Sequence, residues 1–360
     1  MKKKVVYIIN PRSGIGGKSA ITKIIKENTN KELVDLEIIK LKQDLNAYEL
    51  ARSLRDAADV VVAVGGDGTV NSVASALVGS NTALGIIPAG SGNGFARALD
   101  ISLQPARAVQ IINEMCVSKI DVLSFGNNRY SFNVAGIGFD ALIGHKFAKL
   151  KVRGPIQYMR LISTEFPLYK PQEYTLDMNS QLFVRKAFLI SFANSSQWGY
   201  NIHIAPQAVM NDGLVDVCII NQFPNYAVPS MAMSLLSQNI DKNEYDEIIR
   251  TNQVKFDCGE GTMAHIDGEP IMLSGEVTIN VLSEALSVVV PSSNFYESSR
   301  FSVAKLNDSI NKKVLEITKA RDEFRNDVLS QVDQIKATLT NASQNVGDEL
   351  RKRFKKGRRN

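Results

Sequence analysis

The 360-residue sequence contains no long apolar run and is poor in cysteine, histidine and tryptophan. Because a membrane-spanning helix needs about 20 consecutive apolar residues, no transmembrane segment is expected. The three cysteines, Cys116, Cys218 and Cys258, are isolated and lack metal-ligand spacing, which predicts buried free thiols in a reducing compartment. The three histidines are scattered, so zinc binding or catalysis by histidine is not expected, although His265 lies close to a motif described below.

The composition, with 44% hydrophobic and 22% charged residues, is that of a globular protein, and the length predicts two domains. The net charge is +5, but it is unevenly distributed along the chain. Residues 295–360 carry 15 Lys/Arg and nine Asp/Glu, so the positive balance belongs to this last segment.

The stretch Gly65-Gly66-Asp67-Gly68-Thr69 joins a β-branched run to a segment whose apolar residues have helical spacing. We therefore expect a strand, a tight turn and a helix. Glycines allow backbone N–H groups to approach a ligand, and the helix N-terminus favours an anion such as phosphate. Asp67 would repel a phosphate unless a cation or a hydrogen-bond donor intervened, which indicates a metal-bound nucleotide or a sugar hydroxyl. The alternative is a tight turn without a ligand.

Two further glycine-rich turns follow the predicted strands 4–10 and 83–87. The first does not match the Walker A motif, because Arg12 stands where that motif requires glycine. Strands are also predicted at 34–41 and 59–64, and helices at 18–28, 46–57, 70–78 and 104–115. This alternation predicts a doubly wound parallel sheet over residues 1–120, with one anion-binding edge.

Short strands dominate residues 121–284 and predict a mainly antiparallel β-sandwich domain. Hairpin turns are expected at Asn127-Asn128 and Asn179-Ser180. The strand at 285–291 is a candidate to return to the first domain. We predict the strands 119–125, 129–134, 173–178, 182–193, 214–220, 253–257, 262–267, 276–281 and 286–290, and helices near 140–150, 155–165 and 226–238.

Residues 295–360 have apolar residues three and four apart, which predicts a long amphipathic helix with a strongly basic end. One interpretation is an oligomerising helix, compatible with a homodimer. The other is an arm for anionic membranes. The basic end, residues 351–359, has a single aromatic residue that could stack on a base, Phe354, so no specific nucleic acid is expected.

The motifs resemble those of the diacylglycerol kinase catalytic-domain family, which includes bacterial soluble lipid kinases and sphingosine kinases. The resemblance covers residues 5–291. The matching segments are Asn10-Pro11-x-Ser13-Gly14, Gly65-Gly66-Asp67-Gly68-Thr69-x-Asn71, Gly90-Ser91-Gly92-Asn93-x-Phe95-Ala96, Asn133-x-Ala135-Gly136-x-Gly138-Phe139-Asp140, Ala205-Pro206-x-Ala208-x-x-Asn211-Asp212-Gly213-Leu214-x-Asp216 and Asp267-Gly268-Glu269.

The resemblance implies transfer of phosphate from ATP, with Mg²⁺, to a lipid hydroxyl in a cleft between two domains. Diacylglycerol, converted to phosphatidic acid, is the first candidate. The implied location is the cytoplasm, with peripheral association with a membrane surface. The residues implied in nucleotide binding are Asn10, Ser13, Gly65, Gly66, Asp67, Gly68, Thr69, Asn71, Ser91 and Asn93.

The family pattern also implies roles for carboxylates in the second domain. Asp267 matches the general base, with Glu269 beside it, although Asp-Gly is equally typical of a hairpin turn. Asp140 matches a ligand of the lipid head group, and a helix N-cap is the alternative. A structural Mg²⁺ is implied at the carboxylate of Asp212 with the carbonyls of Val209 and Leu214.

Three alternatives to a diacylglycerol kinase stay open at this point. The substrate could be another lipid, such as phosphatidylglycerol, ceramide or a sphingoid base. It could be soluble, such as NAD, because NAD kinases share the Gly-Gly-Asp-Gly turn. The chain could also be a non-catalytic, nucleotide-binding membrane scaffold.

Overall fold

The computed structural model describes residues 2–11, 18–42, 46–150, 155–199 and 202–292. Ser13 and the predicted amphipathic segment 295–360 lie outside the described residues. None of the helices in the described ranges is long and apolar enough to cross a membrane. The three cysteines are free thiols, as expected; Cys218 and Cys258 are buried, whereas Cys116 is half-buried.

The N-terminal half alternates strands and helices as predicted. Its elements are β1 (Lys3–Ile9), α1 (Lys18–Asn28), β2 (Val34–Lys40), α2 (Ala47–Ser53), β3 (Val60–Gly65), α3 (Asp67–Leu77), β4 (Ala83–Pro88), α4 (Gly94–Ala98) and α5 (Pro105–Glu114). The strands are parallel in the order β2-β1-β3-β4, and every residue of β3 and β4 is buried. Helix α3 begins at Asp67, three residues earlier than predicted, because Gly66 adopts the extended conformation of an N-cap.

The C-terminal half is mainly antiparallel. Its strands are β5 (Val117–Ser124), β6 (Tyr130–Ser131), β7 (Val134–Gly138), β8 (Gln172–Met178), β9 (Gln181–Ala193), β10 (Gln197–Gly199), β11 (Ile202–His203), β12 (Val215–Asn221), β13 (Asp246–Thr251), β14 (Gln253–Asp257), β15 (Thr262–Ile266), β16 (Glu269–Leu273) and β17 (Glu276–Val289). Three helices accompany them, α6 (Phe139–Ala148), α7 (Pro155–Glu165) and α8 (Val228–Leu236).

Both predicted hairpin turns are confirmed. Asn127, Asn128, Asn179 and Ser180 all have positive φ, as turns of this kind require. The single strand predicted at 129–134 is wrong: it is divided into β6 and β7. Strands β13 and β16 were not predicted from the sequence.

Two apolar clusters fill the C-terminal half. The first, which includes Leu176, Phe192 and Ile279, is formed by residues of β5, β7, β8, β9, β12 and β14–β17, so this sheet packs on itself as a sandwich does. The second cluster joins the opposite face of β7, β9 and β12 to the helices and includes Phe139, Phe188 and Met231. The three helices α6, α7 and α8 therefore cover one side of the sheet.

Strand β17 connects the two halves. Its residue Val288 pairs in parallel with Leu84 of β4, and the remainder of the strand is antiparallel to β5 and β14. The sequence predicted two strands here, 276–281 and 286–290. The structure corrects this to one strand with an irregularity between Leu282 and Leu286, so the parallel and antiparallel regions share one sheet.

Candidate active site

Two glycine-rich turns meet at the carboxyl ends of β3 and β4. The N–H of Ala89 donates to the carbonyl of Gly65 over 2.7 Å, and a Cβ on Gly90 would lie 2.6 Å from the Cα of Gly66. Only glycine allows the two backbones to approach this closely. The first turn of α3, beginning at Asp67, therefore opens beside the second turn, and the positive end of its dipole can receive an anion.

Asn10 ties the end of β1 to the same turn. Its Nδ2 donates to Thr69 Oγ1 over 2.8 Å, and its backbone N–H donates to the carbonyl of Val64 over 3.0 Å. The ends of β1 and β3 are thereby held together, as expected for one ligand-binding edge of an open parallel sheet.

Asp67 contacts the start of α4. Its carboxylate accepts hydrogen bonds from the N–H groups of Asn93, over 2.9 Å, and Gly94, over 2.8 Å. These donors explain how a carboxylate fits into a phosphate-binding turn. Burial raises the pKa of Asp67, the two hydrogen bonds oppose this, and the charge of Asp267 raises it further. Two carboxylates this close suit a nucleotide that brings a divalent cation.

Asn93 and Gly65 do not line the cleft described below. The side-chain amide of Asn93 accepts from the N–H of Gly90 over 2.9 Å and donates to its carbonyl over 2.8 Å, with its own backbone at a φ of 53°. A Cβ on Gly65 would lie 2.6 Å from that of Thr69. Both residues therefore shape the turns, and their predicted part in nucleotide binding stays a prediction.

The two halves of the chain enclose a cleft of about 1020 Å³. The N-terminal half contributes the glycine-rich turns with Asn71 and Ser91. Elements α6, α7, β10 and β11 contribute apolar side chains, among them Phe147, Ala148, Tyr158, Trp198 and Ile202. A cleft with a phosphate-binding wall and an apolar wall can accommodate a nucleotide together with a substrate that has an apolar part.

Asp267 occupies the hairpin turn between β15 and β16, which confirms the turn interpretation, and it also lines the cleft. Its backbone is left-handed, with a φ of 48°, which asparagine, aspartate and glycine tolerate best. The carboxylate accepts four hydrogen bonds, two on each oxygen. Ser131 Oγ (2.7 Å) and the N–H of Asn133 (2.9 Å) donate to Oδ1, and the N–H of Phe132 (3.0 Å) and Asn71 Nδ2 (2.8 Å) donate to Oδ2.

Two opposing effects act on the charge of Asp267. Burial raises the pKa of its carboxyl, and the four hydrogen bonds favour the ionised form and lower it; burial is the larger effect. Asn71 belongs to α3, so its bond to Asp267 joins this helix to the second half of the chain. The same amide also donates to the carbonyl of Tyr130 over 3.2 Å.

Glu269 reaches the first turn of α3 from the opposite wall. A Cβ on Gly68 would lie 2.7 Å from Oε1 of Glu269, so glycine at this position leaves room for the carboxylate. A negative charge at a helix N-terminus is favourable. The three residues Asp67, Asp267 and Glu269 thus bring carboxylates from both halves to one end of α3.

Asp140 and His265 form a pair in the lining of the cleft. His265 Nε2 lies 3.0 Å from Asp140 Oδ2, and both side chains are less than a tenth exposed. The N–H of Gly268 donates to His265 Nδ1 over 3.4 Å, which places the imidazole proton on Nε2, facing Asp140. A Cβ on Gly136 would collide with both side chains. Helix α6 is capped by Gly138, so the N-cap interpretation of Asp140 is wrong.

The loop before β12 contains the predicted metal ligands. Asp212 Oδ1 accepts from the N–H of Leu214 over 3.0 Å, and neither residue lines the cleft. The neighbouring Asp216 is buried, and burial raises its pKa, but its Oδ1 is paired with Arg250 Nε over 2.9 Å and this positive charge lowers the pKa; only its Oδ2 has no hydrogen-bond partner among the described residues. Asp212 adds to this negative charge. The Asp212 carboxylate with the backbone carbonyls of Val209 and Leu214 would be an oxygen donor set of the kind that Mg²⁺ takes.

Sequence reasoning missed several residues of this site. Ser131 and Phe132 carry no motif, and their contact with Asp267 spans more than 130 residues of sequence. Asn133 lies in one of the family segments, but its role there was not assigned. His265 was set aside because the histidines are scattered; its position two residues before Asp267 was the available signal.

Two family descriptions match the chain. The diacylglycerol kinase catalytic domain matches residues 4–125, and the YegS C-terminal NAD kinase beta sandwich-like domain matches residues 133–290. The boundary between them falls between β5 and β7, where the structure passes from the parallel to the antiparallel region.

Individual proteins show the same similarity. A probable lipid kinase YegS-like from Chromohalobacter salexigens is 30% identical, over 62% of this chain and 74% of its own. A diacylglycerol kinase from Bacillus subtilis is 28% identical over 80% of this chain and 97% of its own. The structure of a putative diacylglycerol kinase from Bacillus anthracis aligns with a TM-score of 0.65 and 21% identity, over 80% of this chain and 97% of that chain, which is a likeness of fold.

Proposed function

Because the chain belongs to the diacylglycerol kinase catalytic-domain family, a family of kinases, we propose that it transfers the γ-phosphate of ATP to the hydroxyl of a lipid. The first candidate is diacylglycerol, which would become phosphatidic acid. Phosphatidylglycerol, ceramide and sphingoid bases would use the same chemistry. We further propose that the enzyme is cytoplasmic and works at a membrane surface.

One observation carries this proposal: the Asp267 carboxylate meets the N-terminal end of α3 through Asn71, over 2.8 Å. Phosphoryl transfer depends on positioning and on charge stabilisation more than on a reactive protein group. The helix N-terminus and the two glycine-rich turns would hold the phosphates. Asp267 would hold the attacking hydroxyl on the opposite side.

In the proposed step, the lipid hydroxyl oxygen forms a bond to the γ-phosphorus, and the bond from that phosphorus to the β,γ-bridging oxygen breaks. The hydroxyl proton passes to Asp267, and ADP leaves. A carboxylate has about four acceptor positions, and all four are used in the structure. Asp267 must therefore release one donor. We propose that Asn71 turns to the nucleotide phosphates and opens Oδ2 to the hydroxyl.

Mg²⁺ enters the proposal at two places. Accompanying ATP, it would neutralise phosphate charge near Asp67 and Asp267. A second, structural ion would be held by Asp212 with the carbonyls of Val209 and Leu214, and its effect would be on the stability of the loop.

The direct test is phosphate transfer from labelled Mg-ATP to a panel of diacylglycerol, phosphatidylglycerol, ceramide and sphingoid bases. A labelled product from one lipid is expected. NADP formed from NAD would instead identify a soluble-substrate kinase. Nucleotide binding without any turnover would identify a scaffold.

Asp140 and His265 are proposed to set the fit of the lipid head group. Asp140→Asn and His265→Leu remove the pair from the lining of the cleft, so the KM for the lipid should rise while the KM for ATP stays the same. Equal changes in both constants would show that the pair only supports the fold.

A further inference from the structure

Helix α8 lies in an uncharged part of the chain. Residues 217–240 contain no Asp, Glu, Lys or Arg. The helix buries Met231 in the apolar cluster that covers one side of the sheet. Its outer side exposes Met233 by 63% and Leu236 by 52%, and Tyr226, in the turn just before the helix, is 82% exposed. Apolar side chains are therefore presented outward where nothing in the described chain covers them.

A further exposed apolar residue lies in a turn that contacts the segment leading into this helix. Leu168 is 75% exposed and belongs to a 3₁₀ turn, Phe166–Leu168, that follows α7. The ring of Phe166 lies 5.6 Å from that of Phe223, in the segment that leads into α8. We call Leu168, Tyr226, Met233 and Leu236 together the α8 surface.

The chain on the α6–α7 side of the α8 surface is basic, whereas the chain that follows α8 carries the acidic residues Asp241 and Glu244. Described residues 142–150 and 155–170 contain four Lys/Arg and one acidic residue, Glu165. That glutamate is paired with Lys146, which leaves Lys149, Arg160 and Lys170 as exposed positive charges without a negative counterpart in these ranges. Apolar side chains flanked by positive charge complement an anionic lipid surface better than they complement water.

Elements that carry the α8 surface pack on elements that line the cleft. Tyr158 of α7 lines the apolar wall and packs, with Phe166, on the same cluster as Met231. Helix α8 contacts β11, whose Ile202 lines the cleft as well. A bilayer against the α8 surface would therefore lie next to the wall that we assign to the lipid.

We propose that the α8 surface docks on a bilayer containing anionic lipid, with Tyr226, Met233 and Leu236 at the acyl boundary and Lys149, Arg160 and Lys170 among the headgroups. This rests on the proposed function, because it supplies the route by which a membrane lipid reaches the cleft. It assigns docking to the body of the protein, apart from any contribution of residues 295–360.

The test is flotation of the full chain with phosphatidylcholine vesicles, with and without phosphatidylserine. The double substitution Met233→Glu/Leu236→Glu should lower the bound fraction by about ten-fold or more, because two charges would enter the boundary region. Lys170→Glu should weaken binding only to the phosphatidylserine vesicles. Leu33→Glu is the matched control: Leu33 is 53% exposed, as Leu236 is, but precedes β2 in the other half of the chain.

Kinetics separate this proposal from the proposed function. If a lipid is phosphorylated, the double variant should lose rate on vesicles but keep it on a short-chain, monomerically dissolved substrate. If no lipid is phosphorylated, the proposed function fails, while flotation still tests docking. Unchanged flotation of the double variant overturns the docking proposal. So does a wild-type dimer that the double variant converts to a monomer, because the surface would then bind a second copy.

Discussion

Replacing Asp267 by asparagine is the most direct perturbation of the proposed mechanism. Each carboxylate oxygen accepts one backbone N–H, from Asn133 on Oδ1 and from Phe132 on Oδ2. An asparagine amide must therefore point its NH₂ at one backbone donor in either orientation. One unsatisfied buried donor costs about 1–3 kcal/mol. Removing a carboxylate whose pKa is raised by burial offsets part of this cost, so the folded state should survive.

The effect on catalysis should be much larger than the effect on stability. Loss of a general base typically lowers the rate by about 10²–10⁴-fold. We expect Asp267→Asn to lose this factor in kcat while still binding a nucleotide analogue. Because burial raises the pKa of Asp267, wild-type activity should decline on the acid side of its profile, as the carboxyl takes up a proton.

Initial rates on the lipid that the panel identifies, together with thermal unfolding of each variant, provide the measurement. Asp257→Asn is the control, because Asp257 also accepts a backbone N–H in a turn, from Gly259, but does not line the cleft. A rate for Asp267→Asn within about three-fold of wild type, well short of the loss expected for a general base, would refute the role of Asp267 as base.

Three further outcomes follow from the structure. Gly90→Ala would press a Cβ against the Gly66 backbone and should lower both Tm and ATP affinity. Gly144→Ala, in the interior of α6 with open space around it, should not lower Tm, because alanine favours a helix more than glycine does. Calorimetry and nucleotide titration measure this. Burial raises the pKa of Asp246 to about 7. The free energy of unfolding should therefore fall as pH rises between about 4 and 7, by up to about 4 kcal/mol. Urea unfolding should show Asp246→Asn more stable than wild type at pH above 7, and equal stability there would contradict the raised pKa of Asp246. Asp212→Asn should abolish any rise in Tm caused by Mg²⁺ without changing Tm in EDTA; a preserved rise would remove Asp212 from the metal site.

The parallel half of the fold was predictable because its signals are local. The valine run of β3, the glycine turn and the start of α3 follow one another directly in the sequence, so a short segment is enough to predict all three. The edge strand β13, by contrast, begins Asp-Glu and contains Arg250, so apolar alternation does not reveal it. Strand β16 contains Pro270, which argues against a strand from sequence.

The candidate site was predictable only in part, for a related reason. The residues of each glycine turn are neighbours in sequence, so they can be recognised as a sequence motif. The donors that surround Asp267 come from positions 134 to 136 residues away and, for Asn71, 196 residues away. Two of them are backbone N–H groups, which every residue except proline has, so no side-chain pattern could have marked them.

The shared strand β17 joins the two halves of the chain. It pairs with β4 at Val288, near its end, and with β14 over residues 276–280, so the two pairings lie on either side of residues 282–286. The irregularity between Leu282 and Leu286 is the place where the pairing of β17 with β5 is interrupted. There the buried carboxylate of Asp121 accepts hydrogen bonds from the N–H groups of Glu284 and Gly213, each over 2.7 Å. One buried carboxylate thus ties the irregular part of β17, at the junction of the two halves, to the loop that precedes β12.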